Sequence, residues 1–122
     1  MADYRNLNVW QKAHALALEV NSAAAGIRSS HHLSLKSQLV RAAFSIPANI
    51  VEGRTRQSES EFVRYLRIAL NSASGLEYHL LAARDIGALN ASVHHSISER
   101  VAEVAKMLQG LINRVESDGA GS

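Results

Sequence analysis

Four arginines carry the clearest potential for chemistry in this 122-residue chain. Arg54 and Arg56 lie in "EGRTRQSESEF", and Arg64 and Arg67 follow in "VRYLRI", with Glu59 and Glu61 among them. Guanidinium groups are permanently charged planar forks that match the oxygens of phosphate. Grouped this closely, they are candidate contacts to the backbone of RNA or DNA. The plainer reading of the same residues is a solvated surface, partly neutralised by its own glutamates. Neither an aromatic RNA-binding signature nor a zinc finger accompanies them, so binding of this kind is directed at phosphates rather than bases.

Other chemistry finds less footing. His31-His32 and His94-His95 precede or open two of the predicted helices. Neighbouring residues on a helix diverge by about 100°, so only one of each pair can face a shared ion. The Glu-x-x-His pattern of di-iron bundles is missing, and solvated histidines with no bound metal or cofactor are expected. With no cysteine in the chain, disulfides, thiolate ligands and a cysteine nucleophile are excluded, which fits a reducing compartment. No serine occupies a Gly-x-Ser-x-Gly elbow, and no P-loop or dinucleotide fingerprint occurs. These observations predict a protein that is not an enzyme.

The length suits one domain with one core. Hydrophobic residues make up 47% and charged residues 20%, within the globular range, while sparse aromatics and a single proline favour helix. A formal net charge of +2 with a pI near 9.3 is compatible with an acidic partner without requiring one. The opening residues lack the basic-then-apolar order of a secretory leader, and no apolar run is long enough to cross a bilayer. A soluble cytoplasmic protein without a membrane partner is expected.

The elements that must position these side chains are four amphipathic helices, over about 8–26, 34–53, 58–87 and 91–116. Trp10, Ala13, Ala17, Val20, Ala24 and Ile27 mark the first apolar stripe, with Asn6 or Asn8 as a cap. Leu35, Leu39, Ala42, Ala43, Ile46 and Ile50 mark the second, with Ser34 as its cap and Gly53 as its stop. Ser58-Glu59-Ser60-Glu61 is a capping box that starts the third, which ends at Gly87. Asn90 caps the fourth, where Ile97, Val101, Val104, Leu108, Leu111 and Val115 keep heptad spacing. Such lengths and short connections predict an all-α, antiparallel up-down four-helix bundle, residues 1–116 forming one domain and 117–122 a disordered tail.

The only proline, Pro47, falls inside the second helix, where it removes a hydrogen bond to the Ala43 carbonyl and crowds it. Beside the apolar stripe, Gln38, Arg41, Ser45, Asn49, Glu52 and Arg56 recur every three or four residues. That spacing stacks them in one row. The short side chains favour a hydrogen-bonded seam against another helix or another subunit, in which Ser45 or Asn49 can satisfy the carbonyl that Pro47 frees.

"LNVWQKA", "QLVRAAFSIPANIVEG" and "RQSESEFVRYLRIALNSASGLEYHLLAARDIGAL" together resemble the four-helix bundle proteins encoded in intervening sequences of 23S rRNA genes. The resemblance runs from about Leu7 to Leu111. It implies a ring-like homopentamer. It also implies similarity to the basic pentameric accessory proteins of diversity-generating retroelements, which work with a reverse transcriptase and nucleic acid. The motif residues it carries over are Trp10, Gln38, Arg41, Ser45, Pro47, Asn49, Glu52, Gly53, Phe62 and Glu77. The chain departs from the family pattern at Asn71-Ser72, where Gly-Ser is usual, and at Gly75, where an acidic residue is usual. The expected function is a non-enzymatic homo-oligomeric scaffold that binds nucleic acid or a nucleoprotein through basic surface, with Gln38, Arg41, Ser45, Pro47, Asn49, Glu52 and Gly53 as the structural motif or interface. The alternative is a protein-binding adaptor with no nucleic-acid role.

Overall fold

The computed structural model describes residues 3–121. Four helices, α1 (Asn8–Ala25), α2 (Leu33–Arg54), α3 (Glu59–Asp85) and α4 (Ala91–Gly121), account for most of the chain. Short 3-10 turns precede α1 (Tyr4–Asn6) and α2 (Ser30–His32), and the described residues contain no strand. Each helix contributes an apolar stripe to one continuous core, whose fully buried members include Leu16, Leu39, Ile50, Leu66, Leu80 and Leu108. No charged or polar residue is buried among the described residues, so apolar burial is what holds the helices together.

The stripes fall close to the predicted positions, with instructive slips. On α4 the last fully buried residue is Ile112, while Leu111 and Val115 are only partly buried. An α-helix turns once per 3.6 residues, so a strict heptad drifts by about 20° per repeat and the facing position moves from 111 to 112. On α1, Val9 and Leu16 are buried, whereas Trp10 is half-exposed and stacks on His14, with ring centroids 5.0 Å apart and planes 7° from parallel.

Helix ends follow local hydrogen bonding. Ser58 caps α3 by accepting from the Glu61 N–H at 3.1 Å, and Asn90 accepts from the Val93 N–H at 2.8 Å. Gly87, at φ 80°, supplies the left-handed residue after α3, and the Ala88 N–H reaches back to the Ala83 carbonyl. Four expected ends differ. Leu7 and His32 stand at the starts of α1 and α2 without side-chain caps, in place of Asn6, Asn8 or Ser34. Gly53 is inside α2 with no positive φ, so it is not a left-handed stop. Helix α4 continues to Gly121 where a tail was expected from 117, its last turn resting on the start of α3. A Cβ at Gly119 would lie 2.8 Å from the Glu59 Oε2. Residues 1, 2 and 122 of the predicted segments lie outside the described residues.

Helix α2 passes through the buried Pro47 as one α-helix. Helices α2 and α3 come close at Gly53, whose added Cβ would sit 2.8 Å from Tyr65 Cβ and 3.0 Å from Phe62 Cδ1. Only a residue without a side chain allows this approach. Gly75, halfway along α3, has nothing within 4 Å of the same position. The two glycines therefore predict opposite outcomes in urea unfolding. Gly53→Ala lowers stability by about 1–3 kcal/mol through overpacking. Gly75→Ala raises it by roughly 0.5–1 kcal/mol, because alanine restricts the unfolded chain and strains nothing. Both should leave the denaturant slope unchanged.

Candidate nucleic-acid interface

The short turn between α2 and α3 gathers three of the four predicted arginines around two aromatic rings. The Arg54 guanidinium lies 5.4 Å from the centroid of Phe62, and those of Arg56 and Arg64 lie 4.9 and 4.6 Å from that of Tyr65. Arg56 also donates to the Tyr65 hydroxyl at 2.8 Å and to Glu52 at 3.1 Å, and Arg64 donates to Glu61 at 2.7 Å. Cation–π stacking and charge-assisted hydrogen bonds thus hold the forks in fixed places. Arg67 does not join them. It turns towards α4 and pairs with Glu116 at 2.9 Å.

These pairs neutralise the patch. Arg56, Arg64 and Arg67 each hold a carboxylate, and Glu59 stands at the head of α3. The arginine side chains remain half-exposed, so each pair is worth only about 0–1 kcal/mol. A phosphate can exchange with the carboxylates, but no excess of positive charge attracts it. The geometry of the turn is first of all a clasp, fastening the end of α2 to the first two turns of α3.

The polar row on α2 divides into three parts. Ser45 and Ser72 share a hydroxyl–hydroxyl hydrogen bond at 2.8 Å, and the Asn49 amide donates to the Ser45 carbonyl at 2.8 Å and to its hydroxyl at 3.1 Å. These partly buried groups form the expected seam. Asn49 bonds Ser45, however, and not the Ala43 carbonyl freed by Pro47. Glu52 and Arg56 belong to the clasp. Gln38 and Arg41 are exposed and make no side-chain hydrogen bond or ion pair among the described residues. Tyr65 and Ser72 are partners that the sequence reading does not single out. Ser72 is seven residues beyond Tyr65, two turns along the same face, and that spacing is the one signal the sequence offers for them.

Elsewhere, His95 meets Glu99 at 2.7 Å and His94 meets Ser98 at 3.3 Å. No three His, Cys, Asp or Glu side chains converge among the described residues. No helix of the described residues is long and apolar enough to cross a membrane. A shallow groove of about 500 Å³ runs between Asn6–Val9 and Met107, Gly110, Leu111 and Arg114.

A model of the 23S rRNA-intervening sequence protein family matches residues 5–110, spanning the clasp, the seam, the first three helices and the first part of α4. The chain belongs to that family. Among solved structures, it is similar to a protein of unknown function from the S23 ribosomal protein family of Bacteroides thetaiotaomicron VPI-5482. The two are 27% identical, the match covers 85% of this chain and 97% of that one, and the TM-score is 0.81. No curated protein matches the chain. The family and this relative therefore supply the four-helix all-α fold but no assigned activity.

The clasp makes a prediction about titration. Its hydrogen bond and charge from Arg64 hold the Glu61 carboxyl below the usual carboxylate range. The pair's contribution is therefore full above the ordinary glutamate pKa and is lost as pH falls through the lowered value in the folded protein. Carboxyl NMR titration should show the Glu61 midpoint rising towards the ordinary glutamate value in Arg64→Gln. An unchanged midpoint would mean that the pair does not persist in solution.

Proposed function

We propose that this protein is a non-enzymatic scaffold, an antiparallel up-down four-helix bundle that assembles as a ring-like homopentamer and binds nucleic acid or a nucleoprotein through basic surface. The observation that carries the scaffold reading is the division, among the described residues, between an interior with no charged or polar residue and a surface that bears the ionisable groups. Catalytic sites depend on burial and charge to shift pKa values within a cleft. Here the shifted groups are exposed partners in surface pairs.

The antiparallel order is supported by contacts whose numbers run in opposite directions: Ser45 with Ser72 and Gly53 with Tyr65 between α2 and α3, and Arg67 with Glu116 and Glu59 with Gly119 between α3 and α4. Self-association is supported by the exposed large apolar side chains Leu18, Leu33, Tyr78, Leu81 and Ile86. The count of five comes from the family resemblance, as does the link with nucleic acid. Arg54, Arg56, Arg64 and Arg67 enter this reading as contacts that exchange a carboxylate for a phosphate. The exposed apolar residues equally suit a protein partner, which keeps the adaptor as the second reading.

Light scattering at micromolar concentration should return five times the 13.2 kDa protomer mass, and a monomeric mass would remove the ring. Binding to RNA and duplex DNA should weaken steeply as salt rises, through release of condensed counterions. Undetectable or salt-insensitive binding would favour the adaptor.

A further inference from the structure

We infer that copies of this chain join head to tail: the apolar face between α1 and α2 of one copy packs on the outer face of α3 and the adjoining edge of α4 of the next, with Lys36 and Glu77 as opposite charges across the contact. This rests on the self-association reading above and names the two surfaces that carry it.

Helix α2 has a second apolar stripe besides the one in the core. Leu33, Val40, Phe44 and Val51 fall within about 40° of one another around the helix. They lie roughly 110° from the core stripe of Leu39, Ala43, Ile46 and Ile50, on the side away from Ser45 and so away from α3. All four keep some exposure, and Leu33 is 62% exposed. Helix α1, the other neighbour of α2, adds Leu18, which is 51% exposed. Leu18 is about 100–120° around α1 from Glu19 and Lys12, the residues that pair with α4. No ion pair or side-chain hydrogen bond links α1 to α2 among the described residues. The acids of these two helices, Glu19 and Glu52, pair with Arg100 and Arg56.

The other exposed apolar face is on the opposite side of the bundle. The backbones of α1 and α3 do not approach each other, nor do those of α2 and α4, so the α1–α2 and α3–α4 faces look away from one another. On α3, Tyr78 and Leu81 are 65% and 38% exposed. They stand about 20° and 40° to either side of the direction of Arg67, which pairs with Glu116 of α4. In the up-down order, the Arg67–Glu116 register brings Leu81 level with Ala102 and Tyr78 level with Ala105. These small residues leave room on α4 beside the two large ones of α3.

Two different apolar faces on opposite sides are what a head-to-tail contact requires. Each copy offers one face to the copy before it and the other to the copy after it, whereas a two-fold dimer sets a single face against itself. The charges match this pairing. Lys36, three residues after Leu33 and four before Val40, is partly exposed beside the acid-free first face. Glu77, four residues before Leu81, is exposed beside the second. Neither forms an ion pair or a side-chain hydrogen bond among the described residues. Opposite charges at the rim of an interface fix partner and register.

The test is light scattering on the full chain, with circular dichroism as the check on folding. Leu18→Glu/Leu33→Glu disables the first face and Tyr78→Glu/Leu81→Glu the second. All four positions are exposed, so both variants should keep the helical signal of wild type. Each alone should run at the protomer mass of 13.2 kDa. Mixed in equal amounts, they should form a species of twice that mass, because each supplies the face that the other lacks. Ala15→Glu, exposed on the α1–α4 side, should keep the wild-type mass. Glu77→Lys sets a like charge against Lys36 and should raise the concentration at which the assembly dissociates. Wild-type mass in either double variant overturns the head-to-tail assignment and leaves self-association standing. Dimers of each variant with no mixed species do the same, as do a monomeric Ala15→Glu and a Glu77→Lys assembly as tight as wild type. A monomeric wild type overturns the self-association reading and this inference with it. If a double variant loses its helical signal, Leu33→Gln and Tyr78→Gln take its place. Each should raise the dissociation concentration, and an unchanged value overturns the assignment.

Discussion

At Gly53 the backbone of α2 comes so close to Phe62 and Tyr65 that no methyl group fits between them. The surrounding contacts depend on that approach. It sets the distance at which Arg56 reaches Tyr65 and at which Arg54 covers Phe62. Further along the same pair of helices, the Ser45 and Ser72 hydroxyls are brought within bonding distance. Small side chains at 45 and 72 and none at 53 allow α2 and α3 to lie close, and the apolar core then fills the space on their inner side.

Much of this arrangement is legible in the residues. The apolar periods identify four helices, because burying one stripe per helix is the dominant demand on an all-α chain. Ser58 and Asn90 are readable as caps because their side chains bond locally. Gly53 stands out in the sequence for the wrong reason. A glycine near a helix end suggests a left-handed stop, and only the neighbouring helix reveals the close contact instead. The same limit explains the arginines. Spacing shows that they are near one another, but their pairing with Glu52, Glu61 and Glu116 depends on side-chain directions and, for Arg67, on a helix 49 residues away in sequence. The end of α4 differs because residues 117–122 offer no apolar anchor in the sequence, and only the start of α3 lying against Gly119 shows where the last turn rests.

The distribution of charge is as informative as its amount. Near-neutral composition conceals a chain in which acids and bases are interspersed along α3 and α4 while the stretch from Val20 to Val51 has only bases. Ion pairs are therefore concentrated on the other helices, and Arg28, Lys36 and Arg41 form none among the described residues.

Helix α2 carries a further consequence, for the order in which the chain is made. It contains Pro47 and Gly53, and the ion pair of Glu52 near its end goes to Arg56 just beyond it. Such a segment has little capacity to stay helical alone in water, since helices in proteins draw most of their stability from packing an amphipathic face. Its partner surface on α3 extends through Leu80, about thirty residues beyond Ile50. During synthesis, then, α2 leaves the ribosome with α1 already made but before α3. Until α3 follows, one of the two helices that α2 packs against is missing, and part of its apolar face is left uncovered.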